Sequence, residues 1–213
     1  MSKNIELRCP VCDHPSQQEL ETYINTRENS QAVADLKNNK LFLFECDQCG
    51  AKRQLESQFV YHNPDKNYML INYPGLYQNQ EQALARGQVI LKEKISDPRS
   101  YQLRLVPSLA YLVEKIQIFE DDLDDRIVEI VKLLTDGLLA KEKQDAQVQG
   151  RFFYKQGDQR KILYLLSDDQ VLVDFNQSLM DFAIDKFKKA TTATVKGQWQ
   201  VIDQAYAEQL LSK

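Results

Sequence analysis

Two short stretches of the sequence, Cys9-Pro10-Val11-Cys12 and Cys46-Asp47-Gln48-Cys49, contain all four cysteines of the 213-residue chain. Both have the form C-x-x-C, in which a tight turn lets two thiolates reach one metal ion. Two such pairs in one small domain are typical of a tetrahedral zinc site. We therefore expect one structural Zn²⁺, bound by Cys9, Cys12, Cys46 and Cys49. Four sulfur ligands complete the shell, so no position is left open for a catalytic water.

A thiol oxidoreductase motif is the competing interpretation of Cys9-Pro10-Val11-Cys12. Such motifs lie between a strand and a helix of a βαβ unit, whereas the sequence around these cysteines favours strands. Redox catalysis would also not need the second cysteine pair, so zinc is the preferred interpretation. His14 follows the first pair closely. Because four cysteines are available, we expect it in the turn rather than among the ligands.

Composition and charge argue against several classes of protein. Hydrophobic residues make up 43% and charged residues 27% of the chain, as in soluble folded proteins. The net charge is −4 and no segment is strongly basic, so binding to a phosphate backbone is not expected as the main activity. No apolar run is long enough for a signal peptide or a membrane span. We therefore expect a cytoplasmic protein with no membrane partner, in which the thiols stay reduced.

The region around the cysteines is predicted to be a zinc ribbon, in which strand pairs end in C-x-x-C turns that close on one ion. The spacer between the two pairs is longer than in the commonest ribbons. Helical spacing of apolar residues over Glu28–Asn38 predicts a short helix inserted there. The predicted strands of this region are Ile5–Arg8, Gln18–Asn25, Leu41–Phe44, Arg53–Tyr61 and Tyr68–Tyr73.

Further along the chain, apolar spacing predicts three helices, the last two packed as a hairpin, and then an antiparallel meander followed by a capped helix. A polar segment, Lys141–Gly150, is the predicted domain boundary. The predicted fold class is therefore α+β. A zinc-ribbon-like domain elaborated with helices occupies residues 1–145, and a small antiparallel-sheet-plus-helix domain occupies residues 146–213. The predicted helices are Gln80–Ile95, Leu109–Ile116 and Asp122–Lys141. The predicted strands are Tyr101–Val106, Arg151–Lys155, Lys161–Leu166, Val171–Phe175 and a segment near Val195–Ile202. The residue predicted to cap the helix after the meander is Asn176 or Ser178.

Other polar residues have simpler structural interpretations than a catalytic one. His62 follows a predicted strand, and no nucleophile or carboxylate is placed beside it by the sequence. The acidic run Glu120–Asp125 lies where the third helix begins, so we expect its carboxylates to cap that helix. The basic pair Lys52-Arg53 is expected on a solvated face. No phosphate-binding loop and no hydrolase motif is found, so we predict no catalytic residues.

Several segments beyond the cysteines resemble the CpXC family of bacterial and archaeal proteins. They are Phe59-Val60-Tyr61-His62-Asn63, a proline-ended strand at Tyr73-Pro74, and Leu112-Val113-Glu114-Lys115-Ile116. The resemblance covers roughly the first 130 residues, a typical size for one domain. It implies a four-cysteine metal site at Cys9, Cys12, Cys46 and Cys49, but no activity, because the family is functionally uncharacterised. The second motif has Asp47 in place of proline, which should alter turn rigidity rather than metal ligation.

Three functional hypotheses stay open from the sequence. The first is a cytoplasmic interaction or scaffold module, in which the zinc ribbon is a rigid surface for a protein partner. The second is a nucleic-acid- or transcription-associated zinc ribbon. The third is an enzyme with a site at the cleft between the two domains. A pocket with perturbed titratable groups would favour the third, and salt-sensitive DNA binding would favour the second.

Overall fold

The computed structural model describes residues 2–142, 147–192 and 195–212 of the chain. It confirms a mixed α+β protein with several antiparallel strand pairs. In the described residues the strands are β1 (Ser2–Arg8), β2 (Pro15–Glu21), β3 (Tyr23–Asn25), β4 (Leu43–Glu45), β5 (Lys52–Gln54), β6 (Phe59–Asn63), β7 (Tyr68–Asn72), β8 (Gln102–Val106), β9 (Val148–Gln156), β10 (Gln159–Leu166), β11 (Gln170–Asp174) and β12 (Trp199–Gln200). The helices are α1 (Ser30–Lys37), α2 (Gln80–Lys94), α3 (Leu109–Glu120), α4 (Asp125–Glu142), α5 (Gln177–Lys186), α6 (Lys188–Thr192) and α7 (Gln204–Leu211).

The chain divides into two compact units. Unit 1 consists of the described residues of Met1–Leu112 and Lys196–Gln200, and unit 2 of those of Val113–Val195 and Val201–Lys213. The predicted boundary between residues 145 and 146 lies outside the described residues, and the division into domains at that point stays a prediction. Among the described helices, none combines the length and the apolar character that crossing a membrane requires.

Two small antiparallel hairpins of unit 1 carry the cysteines. β1 pairs with β2, with Arg8 opposite Pro15 at the end that leads into the first cysteine pair. β4 pairs with β5, with Glu45 opposite Lys52 at the end that leads into the second pair. Each C-x-x-C motif therefore lies in the loop of its own hairpin.

The core of unit 1 is a five-stranded sheet with the order β12-β8-β7-β6-β3. β6 and β7 are antiparallel, while β3, β8 and β12 each run parallel to their neighbour. Every residue of β6 and β7 is buried, as expected for strands that are covered on both faces. α2 lies between β7 and β8 in the sequence, because two parallel strands need a crossover connection.

Two predicted strands are wrong as single elements, because each is divided between two sheets. The first residues of the predicted strand Gln18–Asn25 belong to β2, which pairs with β1, and its last residues form β3, which pairs with β6. The predicted strand Arg53–Tyr61 is likewise divided between β5 and β6. β5 is exposed throughout and β6 is buried throughout. The apolar pattern marks the extended segments, but it does not reveal which distant strand each one pairs with.

Unit 2 contains the predicted antiparallel meander, in which the strand order is β11-β10-β9. α4 contacts β9, α5 and α7, so it is the central helix of the unit. The predicted cap of α5 is also confirmed, since the Asn176 side chain accepts a hydrogen bond from the Leu179 N–H at 3.1 Å. The last predicted strand is present only as the short β12, which belongs to the sheet of unit 1.

Candidate metal centre

The first cysteine loop is held by backbone hydrogen bonds around Cys9. The Cys9 N–H donates to the His14 carbonyl at 3.0 Å, and the Cys9 carbonyl accepts from the Asp13 N–H at 2.9 Å. The Val11 N–H points at the Cys9 sulfur at 3.5 Å. Asp13 has a φ of 56°, in the left-handed region that Asp tolerates better than most residues. The loop thus orients its sulfurs without help from a distant element.

The second cysteine loop repeats the same pattern around Cys46. The Cys46 N–H donates to the Ala51 carbonyl at 2.9 Å, and the Cys46 carbonyl accepts from the Gly50 N–H at 2.8 Å. Gly50 has a φ of 69° and occupies the position that Asp13 occupies in the first loop. Glycine adopts a positive φ without the steric cost that a side chain would add. The two loops are therefore equivalent halves of one site, one built with aspartate and the other with glycine.

The two hairpins bring the four cysteine sulfurs together. The Cys9 and Cys49 sulfurs are 3.6 Å apart, and those of Cys12 and Cys46 are 3.7 Å apart. All four sulfurs lie within 4.8 Å of one another, and none of the cysteines forms a disulfide. Four thiolates at about 2.3 Å from one ion in a tetrahedron would be about 3.8 Å apart, so the cluster fits a four-coordinate metal.

The cluster has a buried side and a solvent side. Cys9, Cys46 and Phe44 form a small buried core, against which Leu7, Ala51 and Leu55 pack. Cys12 and Cys49 are exposed. A core of this size is too small to hold two hairpins together unaided. A metal that joins both loops would supply the missing stabilisation, which is the role of a structural site.

The electrostatics around the sulfurs favour a thiolate at Cys9. Backbone N–H groups, first that of Cys12 and then that of Val11, lower the pKa of Cys9 to about 6. At Cys12 the N–H of His14 also lowers the pKa, but desolvation and the neighbouring thiols outweigh it and raise the value to about 12. Ionisation of one thiol hinders ionisation of its neighbours, because like charges repel. A bound cation would relieve that repulsion.

His14 lies beside the cysteines but faces another residue. Its Nε2 is 3.6 Å from Oδ1 of Asp47 in the second cysteine motif. Among the residues that the structure describes, only the four cysteines have ligand atoms close enough together to bind one metal ion as a group. His14 therefore links the two loops from outside the sulfur cluster.

His62 lies in β6 of the unit 1 sheet and is 6% exposed. Its Nδ1 is 2.7 Å from the Tyr23 hydroxyl, and its Nε2 is 3.2 Å from the Tyr101 hydroxyl. Burial, followed by the nearby cations Arg27 and Lys94, lowers the pKa of His62 to about 4. The neutral histidine of β6 therefore joins Tyr23 of β3 to Tyr101, the residue before β8, in agreement with the structural interpretation.

The acidic run has more roles than the sequence predicts. α4 begins at Asp125, and the Asp124 carboxylate accepts from the backbone N–H of Arg126 at 3.0 Å, so Asp124 is the residue that caps the helix. Asp121 instead forms ion pairs with Lys155 and Arg160. Helical periodicity marks the start of α4, but these partners lie on distant strands and leave no signal near the run.

The sequence also failed to predict a buried group of ionisable side chains on α3 and α4. These side chains are between 0% and 2% exposed, and they are Glu114, Lys115, Asp125, Glu129 and Lys132. They are interleaved with the apolar residues that led to the helix assignments. Charged residues on a helix normally indicate its solvated face, so the pattern itself pointed away from burial.

A family model described as CpXC protein matches residues 7–132, well over half of the chain. The chain belongs to the CpXC family. The CpXC match spans both cysteine loops, the five-stranded sheet up to β8, and helix α3, and it confirms the resemblance found in the sequence. No curated protein and no solved structure matches the chain.

Proposed function

We propose that Cys9, Cys12, Cys46 and Cys49 bind one structural Zn²⁺, and that the two hairpins form a zinc-ribbon-like module around it. The observation that carries this proposal is the approach of all four sulfurs to within 4.8 Å of one another. Zinc favours four thiolates in a tetrahedron, and such a site has no open position for a substrate. The ion therefore stabilises the fold and takes no part in chemistry. The proposal places the protein in the reducing cytoplasm, where the thiols stay available to metal.

The zinc proposal is tested by the metal content of purified protein and by the visible spectrum of Co²⁺-substituted protein. We expect about one equivalent of zinc and a spectrum typical of thiolate ligation. Cys12→Ser should lower the metal affinity and the thermal midpoint, whereas Val11→Ser in the same loop should leave the metal content unchanged. Less than half an equivalent, with free thiols that take up no metal on titration, would contradict the proposal.

The zinc-held module is, in this proposal, an interaction surface for a protein partner. Val11 lies between the first two ligands and is 72% exposed, so the rigid loop presents an apolar side chain to solvent. Two basic residues near the loops are paired with acids: Arg8 with Asp13 at 2.9 Å and Lys52 with Glu45 at 3.0 Å. Such pairing weakens the attraction for a phosphate backbone, so a protein partner is favoured over nucleic acid.

Affinity purification from native cells tests the interaction proposal. Proteins retained by the wild-type chain should be lost with Val11→Glu while the zinc content stays the same. Val89→Glu is a matched control, because Val89 is also exposed but lies on α2. Recovery of nucleic acid in place of protein, or loss of the same partner in both variants, would contradict a role for the zinc loops.

A further inference from the structure

The buried charges on α3 and α4 are connected into one network within unit 2. Glu129 lies at its centre: its Oε1 is 3.0 Å from the Lys115 Nζ, and its Oε2 is 2.9 Å from the Lys132 Nζ. Lys115 also contacts Asp125 at 3.3 Å, and Lys132 contacts Glu114 at 2.7 Å. Each lysine is therefore shared between two carboxylates.

The network contains three carboxyl groups and two lysines. If every group were ionised, the network would have one negative charge in excess, and each of its members is at most 2% exposed. An uncompensated charge in such surroundings is far more costly than a neutral polar group. Binding one proton removes the excess without any change in packing.

Glu114 is the carboxyl with the least compensation for a negative charge. Its Oε1 accepts from the Phe153 N–H at 2.6 Å and from the Lys132 Nζ at 2.7 Å. Its Oε2 is buried and has no hydrogen-bond partner among the described residues. Glu129, by contrast, has a lysine at each oxygen, and Asp125 lies at the positive end of α4. A neutral hydroxyl at an unpartnered position costs less than an anionic oxygen there.

We propose that this network is a proton-binding site, in which Glu114 holds one proton on Oε2 at neutral pH and the stability of unit 2 depends on that proton. The direction of the Glu114 pKa agrees: burial raises it, the charge of Glu129 adds to the rise, and Lys132 and Lys115 only partly oppose it. The lysines oppose the burial effect more fully at Glu129, whose pKa is lowered.

Other charged groups of unit 2 form pairs of their own. At the start of α4, Arg126, whose charge also acts on Asp125, pairs with Asp124 at 2.7 Å. On the side of the sheet, Arg151 of β9 pairs with Asp136 of α4, and the Tyr164 hydroxyl donates to the same carboxylate at 3.0 Å. Further along β9, Lys155 pairs with Asp121. These pairs leave Lys132, Lys115 and Glu129 as the charges that act on Glu114.

Because folding raises the Glu114 pKa, its proton stabilises the folded state fully below the pKa of the unfolded chain. That stabilisation is lost as the pH rises through the pKa of the folded state. We therefore expect unit 2 to unfold more easily in alkaline solution. This dependence is opposite in sign to that of a salt-bridged carboxylate, whose contribution is lost in acid.

The direct test is carboxyl ¹³C NMR of the full, metal-loaded chain labelled in Glu and Asp, with each signal assigned through its own side-chain carbons. At pH 7 we expect the Glu114 carboxyl at the position of a protonated acid, while Glu129 and Asp125 are at the ionised position. An ionised Glu114 at pH 7, or a proton found on Glu129 or Asp125 instead, would overturn the proposal. The wild-type chain alone decides this outcome, so no variant needs to fold.

A matched pair of variants tests the consequence for stability. Glu114→Gln mimics the protonated acid, keeps an oxygen for the Phe153 N–H and need not bind a proton on folding, so we expect a thermal midpoint at pH 7 at least as high as that of the wild type and a smaller decrease at alkaline pH. Glu129→Gln makes the same chemical change but removes the carboxylate shared by both lysines, so its midpoint should drop strongly. Equal decreases in both variants at pH 7 would mean that Glu114 is ionised in the native protein.

Discussion

Acidification should destabilise unit 1 through His62. The imidazole is buried, and its two nitrogens contact the hydroxyls of Tyr23 and Tyr101. A protonated ring would place a charge in this site beside the cations Arg27 and Lys94. The folded protein therefore favours the neutral ring, whereas the unfolded chain accepts the proton freely.

The magnitude follows from the two pKa values of this ring. Folding lowers the His62 pKa from 6.5 to about 4, with burial as the main cause. At about 1.4 kcal/mol per pKa unit, the complete loss is about 3 kcal/mol. The contribution is present above about pH 6.5 and is lost as the pH falls through the folded pKa, so about 2 kcal/mol should be lost between pH 7.5 and pH 5.

The assay compares urea denaturation of the wild type and of His62→Gln at both pH values. Both proteins keep the same cysteines, so any acid effect on metal binding cancels in the difference. The chain has only two histidines, and an NMR titration can follow the His62 ring directly, with a His14→Gln variant to assign the two signals. An ordinary pKa near 6.5 for His62, or parallel stability curves for the two proteins, would refute the reasoning.

Two further predictions concern the helices. Gly87→Ala should destabilise the protein by about 1–3 kcal/mol, because the new Cβ would lie 2.8 Å from the Nε1 of the buried Trp199. Gly137→Ala, whose new Cβ would have nothing within 4 Å, should stabilise α4 by up to about 1 kcal/mol. Equal effects of the two substitutions in urea denaturation would contradict the predicted clash. Asn176→Ala should cost about 1 kcal/mol by removing the cap of α5, whereas Asn79→Ala, which removes no side-chain cap from α2, should cost only a few tenths by the same measurement.

The candidate metal site could be predicted because its cysteines occur in two short sequence motifs. Two C-x-x-C motifs specify two tight turns, and Gly50 already indicates the positive φ that the second turn needs. Asp13 has the same conformation in the first turn, and Asp is among the residues that tolerate it. What the motifs could not specify is the approach of the two hairpins, which depends on contacts between distant residues such as Leu7 and Phe44.

Helices were easier to predict than sheets for a physical reason. A helix is stabilised by bonds between residues four apart, so α2, α3 and α4 leave their pattern within one short window. A strand pairs with a partner that can be anywhere in the chain. β12 is the clearest example, since Trp199 and Gln200 pair with Leu103 and Arg104 of β8. Nothing near Trp199 in the sequence points to that partner.

The sequence alone indicated the four clustered cysteines, the α+β class, the family and most of the helices, because each depends on residues close together in the chain or on composition. Only the tertiary structure decided which strands share a sheet, that His62 lies between Tyr23 and Tyr101, and that Glu114 and Glu129 are buried with their lysines. Burial changes the meaning of a charged side chain completely. In water Glu114 would be one more surface carboxylate, whereas between α3, α4 and β9 it becomes the group on which the charge balance of unit 2 depends.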